Sequence, residues 1–287
     1  MKHILVATDF SVRSDRAIRR ATLLAKTSGT SLSLVHVIDD DQPRRIIQAQ
    51  RQAAEDTLAE QTQSLREIDG LACTSRTVLG DSFEGITTVV REDNADLLII
   101  GPHRRQVLKD VFIGTTAERT IRVSNRPVLM ANGVPAGPYR HVLVAVDLSE
   151  CSGEAVRVLQ RLGLEAKAAV SVIHVFDAPA AGSMVQASST RDQIKNYLAD
   201  EEERASGELT AFLKNLNLIP AQRIMKHNES SIARTICAAA REATADLIVV
   251  GTHGRTGISK TFLGSVAEEI LRESDRDVLA VPPSSTN

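Results

Sequence analysis

The chain has 287 residues, 43% of them hydrophobic, and a formal net charge of -2 from 34 basic and 36 acidic side chains. That balance is ordinary for a soluble globular protein and provides no basic field of the kind that holds nucleic acid. With no Trp, two Tyr and six Phe, the chain also has too few aromatics for a platform on which bases stack.

The first residues enter a strand-like run at once, 3-HILVATD-9, without the apolar stretch and cleavage site of a signal peptide. No apolar run approaches the ~18 residues that a membrane span needs. A cytoplasmic location is therefore the expectation. The three cysteines, Cys73, Cys151 and Cys237, are widely spaced and form no CxxC pair. They read as buried or incidental thiols, with neither a disulfide framework nor a zinc site.

Further along, the chain repeats itself. The run 2-KHILVATDFS-11 returns as 140-RHVLVAVDLS-149, and 34-LVHVID-39 as 172-VIHVFD-177, both with a shift of 138. The runs 95-ADLLIIGPH-103 and 114-GTTAERTIRVSNRPVLM-130 return as 245-ADLIVVGTH-253 and 264-GSVAEEILRESDRDVLA-280, now with a shift of 150. Four matches in one order indicate a tandem duplication. Its joint falls in 131-ANGVPAGPY-139, where Gly and Pro cluster. The second copy has about twelve extra residues, assigned to 178-APAAGSMVQASST-190, which reads as a surface loop. The expected domains are 1–133 and 139–283.

Each copy reads βαβαβαβαβ. In the second, 141–146 is a short strand whose β-branched run suits burial on both faces. Ser149 can cap a helix over 153–164. A strand over 169–176 follows, then a long amphipathic helix over 191–216, a strand at 222–227 and a helix over 231–243. The strand 246–251, the helix 264–274 and the strand 277–281 complete the copy. Strands alternating with helices imply a parallel sheet covered on both faces.

In such sheets ligands bind beyond the carboxyl ends of the strands, where strand order reverses. Asp147 ends the first strand of the second copy, Val175 lies near the end of the second, and the stretch 251-GTHGRTGISKTFLGS-265 follows the fourth. This loop holds four glycines and two basic residues and no carboxylate. Glycines let the backbone approach oxygen atoms closely, and a helix opening at Gly264 and Ser265 presents unpaired N–H groups to an anion. A phosphate cradle and a plain helix cap with a flexible lead-in both fit the spacing. The loop is not GxxxxGK[ST], no GxGxxG follows the first strand, and no GxSxG elbow occurs.

The pattern G-2x-G-9x-G-[ST], the strand ends VATDFS and VAVD, and the paired HVI and HVF strands together resemble the universal stress protein family. The likeness runs over nearly the whole chain, as two copies. It implies two tandem five-stranded parallel-sheet α/β sandwich domains, Rossmann-like and of the adenine nucleotide alpha hydrolase type. Some members of the family bind ATP. On that likeness Asp147 and Val175 would meet the base. Gly251, His253, Gly254, Gly264, Ser265 and Val266 would surround the sugar and triphosphate.

The first copy keeps Asp9, Val37, Gly101, Gly114 and Thr115, but Arg104 stands at the second loop glycine and Pro102 stiffens the turn. A side chain there obstructs close approach to phosphate, although an arginine can also pair with one. Weakened or absent binding in the first copy is the expectation. The repeated His3, His141, His36 and His174 lie in strands and read as hydrogen-bonded core or edge residues. Mg2+ could accompany the phosphates, with no dedicated carboxylate cage.

The leading functional reading is an ATP-binding stress-response regulator in which the nucleotide is a ligand rather than a fuel. No general base stands out, so efficient hydrolysis is not expected. Ser265 and Thr252 are the nearest hydroxyls for slow ATPase or autophosphorylation. The rivals are a nucleotidyl-transferring enzyme and a ligand-free dimerising interaction module. The likeness further implies that the terminal strands 127–131 and 277–281 meet in an internal pseudo-dimer. Two chains could then form a homodimer, with an unidentified protein partner.

Overall fold

A computed structural model describes residues 1–102, 115–187, 190–228, 231–254 and 263–284. The first half runs β1 (His3–Ala7), α1 (Val12–Ser28), β2 (Ser31–Ile38), α2 (Arg44–Glu67), β3 (Cys73–Leu79), α3 (Ser82–Glu92), β4 (Leu97–Ile100), α4 (Thr116–Val123) and β5 (Val128–Met130). The second runs β6 (His141–Ala145), α5 (Glu150–Leu162), β7 (Ala169–Phe176), α6 (Ala180–Gln186), α7 (Arg191–Asn215), β8 (Gln222–His227), α8 (Ile232–Glu242), β9 (Leu247–Gly251), α9 (Ser265–Glu273) and β10 (Asp277–Val281).

Local chemistry sets the helix ends. The Ser11 and Ser149 side chains accept from the N–H of Ser14 and Ser152, so α1 and α5 begin directly after them. Both helices stop at a left-handed glycine, Gly29 at φ 67° and Gly163 at φ 70°. The long helix α7 opens with a reciprocal pair in which Thr190 and Gln193 each satisfy the other's backbone.

The strands form one ten-stranded sheet in the order β3-β2-β1-β4-β5-β10-β9-β6-β7-β8. Within each half all five strands are parallel. The halves join through the antiparallel pair β5–β10, with Leu129 opposite Leu279. One apolar layer lies under α1, α2, α5 and α7 and includes Ala17, Leu58, Val156 and Leu209. The other lies under α3, α4, α8 and α9 and includes Ile86, Ile121, Ile236 and Ile270. Each layer takes residues from both halves, so the core continues across the seam.

The segment 178–190, expected as a surface loop, contains the short helix α6. Ala180 and Ala181 favour helix, and the Ala180 N–H donates to the Tyr197 hydroxyl of α7 at 3.2 Å. None of the α6 residues is buried, which fits its position on the surface. In each half the chain leaves β1 or β6 outward and returns to β4 or β9 on the other side. The resulting crevices lie beyond Ala7 and Ile100 in one half and beyond Ala145 and Gly251 in the other.

Candidate functional site

Asp147 follows β6 in a tight turn. Its Oδ1 accepts from the Ser149 N–H at 3.0 Å and from the Ser149 hydroxyl at 2.5 Å. Between them Leu148 takes φ 64°, a left-handed conformation uncommon for a residue with a side chain. The turn thereby aims the carboxylate at the loop that leaves β9. Val175 lies in β7 and is half-buried. The β6–β7 register pairs Ala145 with Ile173, so Asp147 and Val175 each stand two residues beyond that pair.

The β9–α9 connection is pinned at its base. The Thr252 N–H donates to Val281 O at 2.8 Å, and the Gly264 N–H donates to Thr252 O at 2.7 Å. Close packing accounts for the glycines. A Cβ on Gly251 would meet Cys151 Sγ at 2.9 Å, one on Gly254 would meet Asp147 Oδ2 at 3.1 Å, and one on Gly264 would meet Thr252 O at 3.2 Å. Asp147, Gly251, Gly254 and Gly264 therefore come together. Ser265 and Val266 open α9, whose N-cap is Gly264 and whose first turn has no side-chain cap. His253 Nδ1 lies 2.9 Å from Thr252 Oγ1, and its buried Nε2 has no hydrogen-bond partner. Residues 255–262 of the glycine loop lie outside the described residues.

The first half repeats the turn. Asp9 Oδ1 accepts from the Ser11 N–H and hydroxyl, and Phe10 takes φ 60°. Burial alone would raise the Asp9 carboxyl. Hydrogen bonds from Ser11 and Ser14 and the charge of Arg13 outweigh it and hold the group below its ordinary value. Gly101 packs so closely that a Cβ would sit 2.8 Å from the Arg13 carbonyl. Thr115 caps α4, its side chain accepting from the Glu118 N–H. His103, Arg104 and Gly114 lie outside the described residues, so the expected degeneracy at Arg104 gains no structural account. A cavity of about 490 Å³ opens at the carboxyl ends of β1, β2 and β4, with Asp9, Arg13, Val37, Gly101 and Thr115 among its described lining.

The strand histidines are structural. His36 and His174 lie with Nδ1 2.8 Å from the Thr8 and Val146 carbonyl oxygens. His3 and His141 bridge a backbone oxygen and a serine hydroxyl on the neighbouring strand. All three thiols are unpaired and buried. Burial, together with the nearby Asp147 charge, raises the Cys151 thiol, and burial pushes that of Cys237 up to about 11. Among the described residues no group of three or more His, Cys, Asp or Glu is arranged to hold a metal ion. No described helix is long and apolar enough to cross a membrane.

Cys151 is the buried thiol that the sequence suggested, but its packing against Gly251 and the hydroxyls that line the first cavity carry no sequence motif.

Comparison with known proteins agrees with this architecture. The model of the Universal stress protein family matches residues 1–132 and again 138–282. A Mycolicibacterium smegmatis universal stress protein is 25% identical over 98% of this chain and 97% of its own. Universal stress protein A homolog 1 of Coxiella burnetii is 32% identical over 50% of this chain and 96% of its own. Two crystal structures share the fold across nearly the full length. One is a universal stress protein from Archaeoglobus fulgidus, with TM-score 0.72 and 19% identity over 98% of each chain. The other is a functionally unknown protein from Pseudomonas aeruginosa PAO1, with TM-score 0.70 and 22% identity, covering 99% of this chain and 93% of its own. Two matched segments that together span nearly all of the sequence, on a sheet with this strand order, mean that the chain belongs to the universal stress protein family.

Proposed function

We propose that the second half binds an adenine nucleotide, ATP, and that the chain is a stress-response regulator whose conformation or partner surface responds to that ligand. The domains 1–133 and 139–283 act as two units of unequal ligand chemistry. The observation that carries the reading is the approach of Gly254 to Asp147, where a Cβ would lie 3.1 Å from Oδ2. A bare backbone beside a carboxylate acceptor joins a base-recognising group to a loop able to wrap phosphates. The first turn of α9, which has no side-chain cap at Gly264, adds N–H groups and a favourable dipole for an anion.

In this assignment Asp147 and Val175 meet the base. Gly251, His253, Gly254, Gly264, Ser265 and Val266 surround the sugar and phosphates, with the unpartnered His253 Nε2 offering one polar contact. Magnesium would be held by phosphate oxygens and water, its usual manner of binding. A cytoplasmic setting and a homodimer belong to the same proposal.

Calorimetry with ATP on wild type and Gly254→Arg tests it. Wild type should bind, and the variant should lose at least about tenfold in affinity while keeping a cooperative unfolding transition, an effect of ~1.4 kcal/mol. Equal binding by both chains would sink the site assignment. Two equivalent ATP sites per chain would sink the asymmetry.

A further inference from the structure

Helices α3 and α4 match α8 and α9 at the shift of 150, and the turns that close α4 and α9 make the same hydrogen bonds. The Ser124 hydroxyl donates to Arg126 O at 2.8 Å and accepts from the Arg126 N–H at 3.1 Å. The Ser274 hydroxyl does the same with Arg276, at 3.0 Å each way. The residue between serine and arginine differs. It is Asn125 in the first half and Asp275 in the second.

That exchange removes two ion pairs. Asp275 Oδ1 lies 3.4 Å from Arg241 Nε and 3.8 Å from Arg276 Nε. Arg91 and Arg126 stand at the matching places, and neither forms an ion pair with a described carboxylate. Arg91 keeps long bonds to the Thr87 carbonyl, at 3.3 Å, and the Thr88 hydroxyl, at 3.4 Å. Arg126 donates to the Asn94 side-chain oxygen. The neighbouring Glu92 and Asp93 are engaged elsewhere, each 3.0 Å from Arg76. Asp96 feels the Arg126 charge, but its carboxylate is bonded by the Lys2 and His3 N–H groups.

A second exchange bares apolar surface. Val123 stands where Glu273 pairs with Arg234, and it is 46% exposed. Beside it a groove of about 260 Å³ opens between α3 and α4, lined by Thr87, Val90, Arg91, Val123, Ser124 and Asn125. Arginines at helix carboxyl ends suit the dipole on their own. The second half shows that a carboxylate is accommodated between them as well. Its pairs are half exposed, so they contribute little to stability. The first half forgoes them at small cost and leaves two guanidiniums free beside an apolar groove, the residue types that protein interfaces favour.

We propose that the α3–α4 groove docks an acidic segment of a partner protein. A carboxylate of that segment enters between Arg91 and Arg126, the place that Asp275 takes in the second half. A neighbouring aliphatic side chain covers Val90 and Val123. The groove, at about 260 Å³, is smaller than the ~300 Å³ at which pockets for whole small molecules begin, and it suits single side chains of a longer segment. The inference does not rest on ATP binding by the second half.

The test uses the full chain with labelled Val and Leu methyl groups and the acetylated, amidated peptide Asp-Leu-Asp-Asp-Leu-Asp. The peptide should shift the Val90 and Val123 signals saturably, less so at higher salt, and leave Leu271 of α9 in place. The same peptide with Asn for every Asp should give no response. Arg91→Ala should weaken binding about tenfold or more. The double variant Val123→Glu, Asn125→Asp copies the second half and supplies the carboxylates within the chain. It should weaken binding as far, with its thermal midpoint retained or raised. No saturable shift at Val90 and Val123 overturns the proposal, as does an equal response to the asparagine peptide or undiminished binding in the double variant. Signals that move with protein concentration alone would put a second copy in the groove and overturn it too.

Discussion

Arg20 and Asp277, 257 residues apart in the chain, form a buried ion pair with Nε 2.7 Å from Oδ2. The Tyr139 hydroxyl donates to the same oxygen at 2.7 Å, and the Gly133 N–H donates to Oδ1 at 2.8 Å. Arg20 Nη1 also donates to Gly137 O at 2.8 Å, and the guanidinium lies over the Tyr139 ring at 4.2 Å. Helix α1 of the first half, the joining segment and strand β10 of the second half thus meet at one carboxylate. The matching positions in the other halves are Val158 and Pro127, so this contact is made on one side of the seam.

Removing Arg20 should be costly. Burial raises the Asp277 carboxyl, and Arg20 is the largest influence opposing it, ahead of the hydrogen bonds from Tyr139 and Gly133. Arg20→Ala leaves a buried carboxylate without its cation, a change that costs about 3–5 kcal/mol. The missing cation raises the Asp277 pKa further. A raised folded pKa stabilises the fold below the unfolded value, and that contribution is lost as pH rises through the folded pKa. Urea unfolding should therefore show a larger loss at neutral pH than near pH 4. An equal loss at both would contradict the role given to the charge.

The two strand-end glycines should differ in a way that side-chain truncation reveals. A Cβ on Gly101 meets the Arg13 carbonyl carbon and oxygen at 2.8 Å and Ser14 N at 3.0 Å, all backbone. A Cβ on Gly251 meets the Cys151 sulfur first, at 2.9 Å, with backbone at 3.2 Å. Each alanine variant should lose about 1–3 kcal/mol, Gly101→Ala the more. Adding Cys151→Ala should recover part of the loss in Gly251→Ala, while Arg13→Ala should recover none in Gly101→Ala. Thermal midpoints of the four chains decide it.

Acid should weaken the fold through Asp96. Its carboxylate accepts from the Lys2 N–H at 2.5 Å and the His3 N–H at 3.1 Å. Burial raises the group, but these bonds and the N-terminal charge hold it below its ordinary value. A depressed folded pKa gives stability that is present above the unfolded value and lost as pH falls through the folded one. Asp96→Asn should therefore flatten the decline in urea midpoint between about pH 5 and about pH 2. A decline of unchanged slope would show that the acid sensitivity lies elsewhere.

Much of the fold was legible because its signals are local. The strands read at 169–176, 222–227 and 277–281 coincide with β7, β8 and β10. Short β-branched runs bounded by turn residues leave little freedom for their ends. Helix α5 begins three residues earlier than its apolar spacing suggested, because the Ser149 cap defines the start and the spacing does not. The helix in 178–190 escaped notice because an exposed segment rich in Ala, Ser and Gly has no apolar face. At the candidate site the motif spacing identified Asp147 and the loop glycines. The hydroxyls that line the first cavity carry no motif, and only the folded chain brings them together.

The sequence by itself determined the duplication, the order of the strands and of every helix but α6, and the glycine-bearing connection after β9. All of these follow from hydrophobic period and turn chemistry acting over a few residues. The likeness implied that strands 127–131 and 277–281 meet, and β5 and β10 do; the tertiary structure decided the antiparallel register, with Leu129 opposite Leu279, and the reach of Arg20 to Asp277 across the seam. Such contacts depend on which strand edge and which buried charge meet in space. The free energy that selects them comes from burying partners far apart in the chain together, which no local pattern encodes.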